Sequence, residues 1–597
     1  MTENYGSMEH RKKSFRNNEN LEQQFHPLRE ELDNAGPIND RTSELSLEGV
    51  SKAEAIASTW SKRSIIVAYL GLYLLSFASS LEQQTTYSLQ RYATSNFSAH
   101  SNLATINLVG NILLAVVRAP MVKAADVFGR SESLSLALGM TVLGYLSLAF
   151  SRNIQMFTVA YILYICGQTG LGLLSQLIIA DTSSLLNRGI LSAIPELPYL
   201  ATVWIGPVLA QAFHPEKNYG WRLGYGIWAF ILPTVSLPLL ASLFLNQRKA
   251  KAAGLYREHH NLINHSTPEK LRLFYLFWQE LDGLGIVLFV SGFTLLLLPF
   301  SHSSQVVSPD STILTLFTIT LSIALLVTLC FYDVKYARYP VFALKSLKDR
   351  TILGSCVLIF TYFMSYYIFS NFLTSFLQVS YGLSIDMSSL TLNVFVFSMT
   401  TTAILSGFLM KRFGRFKMLL MISVPMYVLG ILGIILFGIN DNHYTRPLVL
   451  VLILAGMGGG LLTLSAQIAV QSVSSHAKLG MNLTLYLTFS SVGGAFGSAI
   501  AGGVWSKRLS SRLLHDLKDH LPVPEIESIF RDLRTALSYP QGTQIRNIIN
   551  VAYTATEKDL FHISLVASLF MFAGLVIIRD VPLSTENHDT AVETPSE

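Results

Sequence analysis

Runs of about twenty apolar residues recur along this chain, and they leave it few folds. A helix of that length crosses the roughly 30 Å of hydrocarbon in a bilayer. Candidate runs are centred near residues 75, 110, 141, 164, 200, 234, 290, 321, 360, 396, 427, 459, 493 and 569. Lipid offers the backbone no hydrogen bonds, so a spanning segment must be a helix or part of a closed barrel. Runs this long and this continuously apolar read as helices. Composition agrees, with 51% of residues hydrophobic and 14% charged, against about 25% charged in soluble domains. The expected fold is an all-α integral membrane protein of about 14 transmembrane helices, with the lipid bilayer as its first partner.

Other classes find little support. The net charge of +5 is small for 597 residues. Lys and Arg are spread through the loops, so nothing points to nucleic acid. Cys166, Cys330 and Cys356 each sit in an apolar run without C-x-x-C spacing and read as small buried thiols. No H-E-x-x-H, P-loop or G-x-S-x-G motif occurs, and "GMGGG" (456–460) inside a span reads as close helix packing. The chain does not read as an enzyme. No metal site and no cofactor is expected.

Basic residues in short loops orient the spans. The loops holding "KAADVFGR", "DTSSLLNRG", "NQRKAKAAGLYREHH" and "KRFGRFK" are rich in Lys and Arg, which places them and both termini in the cytoplasm. One long loop, 506–560, carries eight Lys or Arg yet falls outside. Long loops cross largely regardless of charge. Within it, Ile526, Ile529, Phe530, Leu533 and Leu537 keep a helical period, which predicts an amphipathic helix. The expected organisation is a disordered cytoplasmic tail (1–60) without a cleavable signal peptide, a six-helix bundle (61–246) and a cytoplasmic central loop (247–281). Two inserted helices and a loop (282–350), a second six-helix bundle with the large outer loop (351–579) and a cytoplasmic tail (580–597) follow. The two bundles read as repeats. "MVKAADVFGRSE" follows the second span and "FLMKRFGRFKM" the tenth, each a short basic loop with F-G-R. Duplicated halves are common in secondary transporters, with the substrate site between them.

At these residues the chain resembles a known family. "AADVFGR" resembles the loop motif of the major facilitator superfamily, and "KRFGR" resembles its second-half copy. "GQTGLGLLSQLIIADTSSLLNRGILSAIPELPYLATVWIGP" (167–207) and "SLEQQTTYSLQRYATSNFSAHS" (80–101) closely resemble the fungal siderophore–iron transporters of that superfamily. The resemblance covers roughly residues 50–580. It implies the major facilitator fold, a ferric siderophore as substrate and protons as the coupling ion. It also implies an iron whose coordination sphere the chelate fills, with no ligands from the protein. Two departures stand out. No Arg lies between Asn153 and Asp181, where many fourteen-span relatives carry an antiport Arg in helix 4. The second-half loop has Lys411 and Arg412 but no acid.

Charged side chains inside spans are the informative ones, because lipid makes them expensive. Glu82 lies toward the outer half of span 1. Around it Gln83, Gln84, Thr86, Tyr87 and Arg91 are expected to form a polar face opening outward. Glu82 is the first candidate for proton coupling or substrate contact, and Arg91 is a candidate partner for an anionic ligand. Glu196, between Pro195 and Pro198 in span 5, is the second acid, with an ion pair to a group such as Arg118 as its structural alternative. Tyr366, Tyr367, Asn371 and Phe372 on span 9 are candidates to wall a cavity for a large amphipathic chelate, with membrane-interface packing as the alternative. Asn393 and Gln467 are further midplane candidates. Asp126, Gly129 and Arg130 in the first loop, with Asp181 and Arg188 in the next, read as an inter-helix lock that opens when the halves rock.

The leading reading is a secondary active importer of ferric siderophores by proton symport with alternating access. The alternatives are a drug or thiol-peptide antiporter of the same fold, and a sensor that does not transport. The missing helix 4 Arg weighs against the former, and the absence of a long structured cytosolic extension weighs against the latter. Either the plasma membrane or an endosomal or vacuolar membrane is consistent with the tails.

Overall fold

The computed structural model describes residues 60–97, 103–182, 195, 197–213, 217, 219–252, 282–301, 309–336, 344–438, 445–474 and 479–581. Among these residues the chain is helical, with no strand. Eleven helices are long and apolar enough to cross a membrane, and three shorter apolar helices accompany them. The first six are α1 (Lys62–Asn96), α2 (Leu103–Phe128), α3 (Arg130–Ala149), α4 (Ile154–Thr182), α5 (Tyr199–Ala212) and α6 (Trp228–Ala252). A hairpin of α7 (Gly283–Ser301) and α8 (Pro309–Lys335) follows. Then come α9 (Arg350–Ser380), α10 (Ile385–Phe413), α11 (Lys417–Gly433), α12 (Thr445–Ser472) and α13 (Leu479–Val504). Three short helices, α14 (Ser510–Leu517), α15 (Val523–Arg531) and α16 (Leu533–Ser538), lead into α17 (Gln544–Leu569).

Side-chain caps fix several starts. Ser61 accepts from the Ser64 N–H, Asp349 from those of Thr351 and Ile352, and Thr543 from that of Arg546. Each satisfies a backbone donor that the first helical turn leaves free. Both F-G-R loops turn on a glycine at positive φ, Gly129 at 104° and Gly414 at 63°. A residue with a Cβ is strained there, so the motif's glycine is a backbone requirement.

The packing repeats between halves. Within the first, α1 packs on α5 and α6, α2 on α4, and α3 on α4. Within the second, α9 packs on α13 and α17, α10 on α12, and α11 on α12. Counted from each half's start, these are the same pairs. The halves then meet reciprocally, the second helix of each against the fifth of the other: α2 on α13 and α5 on α10. Each half has its own large apolar core, and a smaller cluster of Leu108, Ile112, Ala495 and Ala499 joins α2 to α13 across them. The α7–α8 hairpin lies against α2 and α13, joining Phe289 and Leu329 to Ala115, Val116 and Leu485.

Small residues let paired helices approach. A Cβ on Gly144 of α3 would sit 2.6 Å from the Tyr164 backbone of α4, and one on Gly430 of α11 would sit 2.6 Å from the Ala455 backbone of α12. These are the matching contacts of the two halves.

The segment expected as an outer loop, 506–560, is mostly helical. The helix after α13 continues as a π turn, Trp505–Leu509, into α14. The amphipathic helix foreseen around Ile526 is two helices, broken at Asp532, whose extended backbone and side chain cap α16. From Gln544 onward the segment is already α17. That helix has 26 residues, or about 39 Å, longer than a bilayer's hydrocarbon. The end carrying α14–α16 is termed the cap end. Residues 1–59, most of 247–281 and 582–597 lie outside the described residues.

Gly144→Leu should force α3 from α4. Overpacking of this kind costs about 1–3 kcal/mol, so the thermal midpoint of the purified protein should fall. An unchanged midpoint would contradict the close approach.

Candidate functional site

The Glu82 side chain is fully buried, at 0% exposure. It does not open outward. The carboxylate is turned into the first half, against α4. Its Oε1 accepts from Thr86 Oγ1 at 2.9 Å and from the Tyr164 hydroxyl at 3.0 Å, and its Oε2 accepts from Gln168 Nε2 at 2.7 Å. The Tyr145 ring of α3 packs on Tyr164 at 4.9 Å, closing the back of the pocket. No Lys or Arg among the described residues pairs with Glu82. A charged residue at mid-helix costs about 2.5–3.5 kcal/mol on insertion scales. Three hydrogen bonds of about 1 kcal/mol each are of the size that offsets it.

The remaining α1 candidates separate by face. Gln83 is exposed and accepts from the Tyr199 hydroxyl of α5 at 2.9 Å. Gln84 is half-buried where Gly206 of α5 closes on it. Tyr87 reaches across to the other half, its hydroxyl 3.4 Å from the Ser370 carbonyl of α9. Arg91 was expected on an open face but is 1% exposed. It donates to the Tyr87 carbonyl at 3.1 Å and lies over the Tyr87 ring at 4.6 Å, and its Nε has no partner. The α1 turns beyond Glu82 form the contact between halves, which explains its burial.

That contact sets polar pairs beside small apolar clusters of α2 and α13. Asn107 Nδ2 of α2 donates to Asn371 Oδ1 of α9 at 2.7 Å, and Asn371 Nδ2 reaches the Tyr367 carbonyl at 2.8 Å and Ser498 Oγ of α13 at 3.3 Å. Asn111, one turn further along α2, lies with the Tyr367 ring against Gly494 of α13. Asn393 Nδ2 of α10 donates to the Val203 carbonyl of α5 at 2.6 Å. Arg118 donates to the Leu487 carbonyl at 3.0 Å and Ser491 Oγ at 3.3 Å, both on α13. At the cap end Tyr92 donates to Gln378 Oε1 at 2.6 Å, and Ser95 Oγ accepts from the Leu533 N–H at 3.4 Å. The halves are therefore closed on each other at the cap end.

Two cavity candidates look elsewhere. Tyr366 stacks on Phe395 at 5.1 Å, inside the second half. Phe372 is buried and stacks on Trp505 at 4.1 Å and 4°. It belongs to the core beneath the cap, not to the contact between halves. Gln467 of α12 is half-buried. In the first F-G-R loop, Gly129 is buried and Arg130 half-buried. Glu196 and Arg188 lie outside the described residues, as do the side chains of Asp126 and Asp181.

A sequence profile of the Major Facilitator Superfamily matches residues 355–514. The siderophore iron transporter mirC of Emericella nidulans is 37% identical over 553 residues, 91% of this chain and 90% of that protein. The MFS siderochrome iron transporter C of Aspergillus fumigatus is 36% identical over 96% of this chain and 92% of its own. This chain belongs to the siderophore iron transporter family of the major facilitator superfamily. It is a multi-pass membrane protein. The siderophore iron transporter 1 of Schizosaccharomyces pombe is a more distant relative, 31% identical over 86% of this chain and 82% of that one.

Solved structures share the transporter's fold. A bacterial homologue of the human lysosomal transporter Spinster superposes with a TM-score of 0.56 at 12% identity, covering 87% of this chain and 98% of that one. A peptide transporter POT in complex with sulfate gives 0.53 at 15% identity, over 84% and 94%.

Reading the sequence for charge passed over Asn107 and Asn111. Their signal was present, two amides four apart in the apolar first half of α2, which places them on one face. Asn107→Leu should cost about 0.6–1.7 kcal/mol, the range for interhelical hydrogen bonds in membrane proteins. Asn371→Leu added to it should cost less than the sum of the two single changes in thermal unfolding. Strict additivity would show that the two amides do not interact.

Proposed function

We propose that this transporter imports ferric siderophore chelates by proton symport, with Glu82 as a proton site. The substrate class rests on the names of the relatives, which align over nearly their whole length. The coupling rests on one observation: a carboxyl group sealed inside the first half, with three hydrogen-bond donors and no cation among the described residues. Intramembrane carboxyls of this kind mark proton relays. A Glu kept only for packing would be replaced by an apolar residue at lower cost.

In this reading the cap end faces outside, consistent with the basic loops at the other end, and the closed cap end is one pole of an alternating-access cycle. The chelate binds where the halves meet. Tyr87, Tyr367 and Asn371 line that contact and offer hydroxyl, aromatic and amide groups to a large amphipathic ligand. Opening the cap end requires the Asn107–Asn371 and Tyr92–Gln378 bonds to break. Because Tyr87 and Glu82 share α1, movement at the contact carries directly to the acid. Gln83, Gln84, Arg91, Asn393 and Gln467 complete the polar surround. Glu196 is a second acid for the same relay, and Asp126, Arg130, Asp181 and Arg188 act as the lock opposite the cap. The membrane is the plasma membrane or an endosomal or vacuolar one, with both termini cytoplasmic.

The test is uptake of radiolabelled ferric siderophores into iron-starved cells that lack other carriers. Uptake should saturate and collapse with a protonophore. Glu82→Gln should reach the membrane in normal amount and lose uptake by about 10-fold or more, the equivalent of about 1.4 kcal/mol. No uptake of any ferric chelate would overturn the substrate. A Glu82→Gln protein with wild-type uptake at every pH would overturn the proton site.

A further inference from the structure

A second buried acid lies in the other half, in a segment that sequence reading assigned to an outer loop. Glu557 of α17 is 0% exposed, and neither of its carboxylate oxygens has a hydrogen-bond partner. Its setting is aromatic. One turn before it, Tyr553 meets Trp505 edge to face at 5.3 Å, and Trp505 stacks on Phe372. One turn after it, Phe561 stacks on Phe369 of α9 at 5.1 Å. The hydroxyl of Tyr553 and the indole N–H of Trp505 are also without partners.

The charges on the elements packed around α17 are engaged elsewhere or exposed. Arg508 and Arg512, on the π turn and α14, pair with Asp559 at 2.6 and 2.8 Å. Arg512 also donates to Thr556 Oγ1 at 2.8 Å. Arg546 of α17 donates to the carbonyls of Ala536 and Val379 and to Asn550. Lys507 is exposed, Lys558 half-buried, and His515 pairs with Asp516 at the surface. From α11 the titratable group on this side is a phenol, Tyr427, bonded at 3.1 Å to Ser365 of α9, which in turn meets Ser564 of α17 at 2.8 Å. Among the described residues, no hydrogen bond or ion pair compensates a negative charge on Glu557. Burying an unpaired charge is far more costly than burying a neutral polar group.

We propose that Glu557 is a second proton-binding group of the transporter, held as the neutral acid while the cap end is closed and discharged when it opens. The location suits the role. Glu557 sits at the base of the cap, where α17 leaves the apolar span for the helices that meet α1 through Ser95 and Leu533. Separating α17 from α9 or from the π turn would admit water to the carboxyl. Closure would then need the proton back, which ties cap movement to proton uptake. Release and rebinding both occur on the cap side, so Glu557 makes cap movement depend on pH without itself carrying a proton across. The proposal rests on the symport reading for which side the cap end faces, but the presence of a buried neutral acid does not.

Infrared difference spectroscopy of the purified protein through a pH titration tests the first part. The wild type should show a carboxylic-acid carbonyl band that Glu557→Gln removes and Glu557→Asp retains in shifted form. Gln matches the neutral acid in size, so the variant should reach the membrane in normal amount. In the uptake assay Glu557→Gln should lose the wild-type response to pH, and Glu557→Asp should keep it. Absence of the band from the wild type, or a wild-type pH profile in Glu557→Gln, would overturn the proposal. Failure of symport itself shows in a different place, as wild-type uptake indifferent to a protonophore.

Discussion

Enclosing a carboxyl group away from lipid and water organises the first half of this molecule. Glu82 needs hydrogen-bond donors that its own helix supplies only in part, through Thr86. The others come from Tyr164 and Gln168 of α4, which must therefore lie against α1. Tyr164 is set by its own neighbour: Gly144 lets α3 approach the α4 backbone at that residue, and Tyr145 then packs on the Tyr164 ring. One acid thus ties the positions of three helices together. The second half has the same helix pairing and the same close approach, Gly430 on Ala455, without an acid at the matching place. Its buried acid lies on the last helix instead, so the two halves share architecture while differing in where they hold charge.

The contact between halves follows from the same rule at lower cost. Amides and hydroxyls meet there, together with the Arg118 guanidinium, and each neutral bond in lipid is worth on the order of 1 kcal/mol. A seam of bonds that weak holds one state without making it permanent, as a rocking carrier requires. The two large apolar cores lie one in each half, and the contact between them combines these polar bonds with small apolar clusters of α2 and α13. The α7–α8 hairpin touches α2 and α13 beside the seam and adds apolar surface there without joining either core.

Much of the fold was legible because hydropathy and glycine leave little choice. Long apolar runs in lipid become helices, and F-G-R turns on a glycine, the residue that adopts positive φ most readily. Glu82 stood out for the same reason: an acid in an apolar run is conspicuous. Its orientation was not legible. The polar residues flanking it suggested an open face, whereas Arg91 is buried and Thr86 turns with Glu82 into the first half, a tertiary fact with no local signature. Phe372 looked like a cavity wall because aromatic residues are plentiful on α9, yet its partner is Trp505, more than a hundred residues away. Glu557 was hidden by length. The first half of α17 is too polar to register as a span, so a hydropathy reading ends the helix near residue 560 and leaves the acid in a loop. Asn107 and Asn111 carry no charge and so escaped a search for costly groups.

The central claim joins substrate to proton through a buried carboxyl. It is tested most directly in sealed proteoliposomes holding the purified transporter and a pH-sensitive dye. Ferric siderophore added outside should acidify the lumen in step with iron entry, and Glu82→Gln vesicles should show neither at the wild-type rate. Iron entry with no change in lumenal pH, in vesicles shown to be proton-tight, would contradict the account.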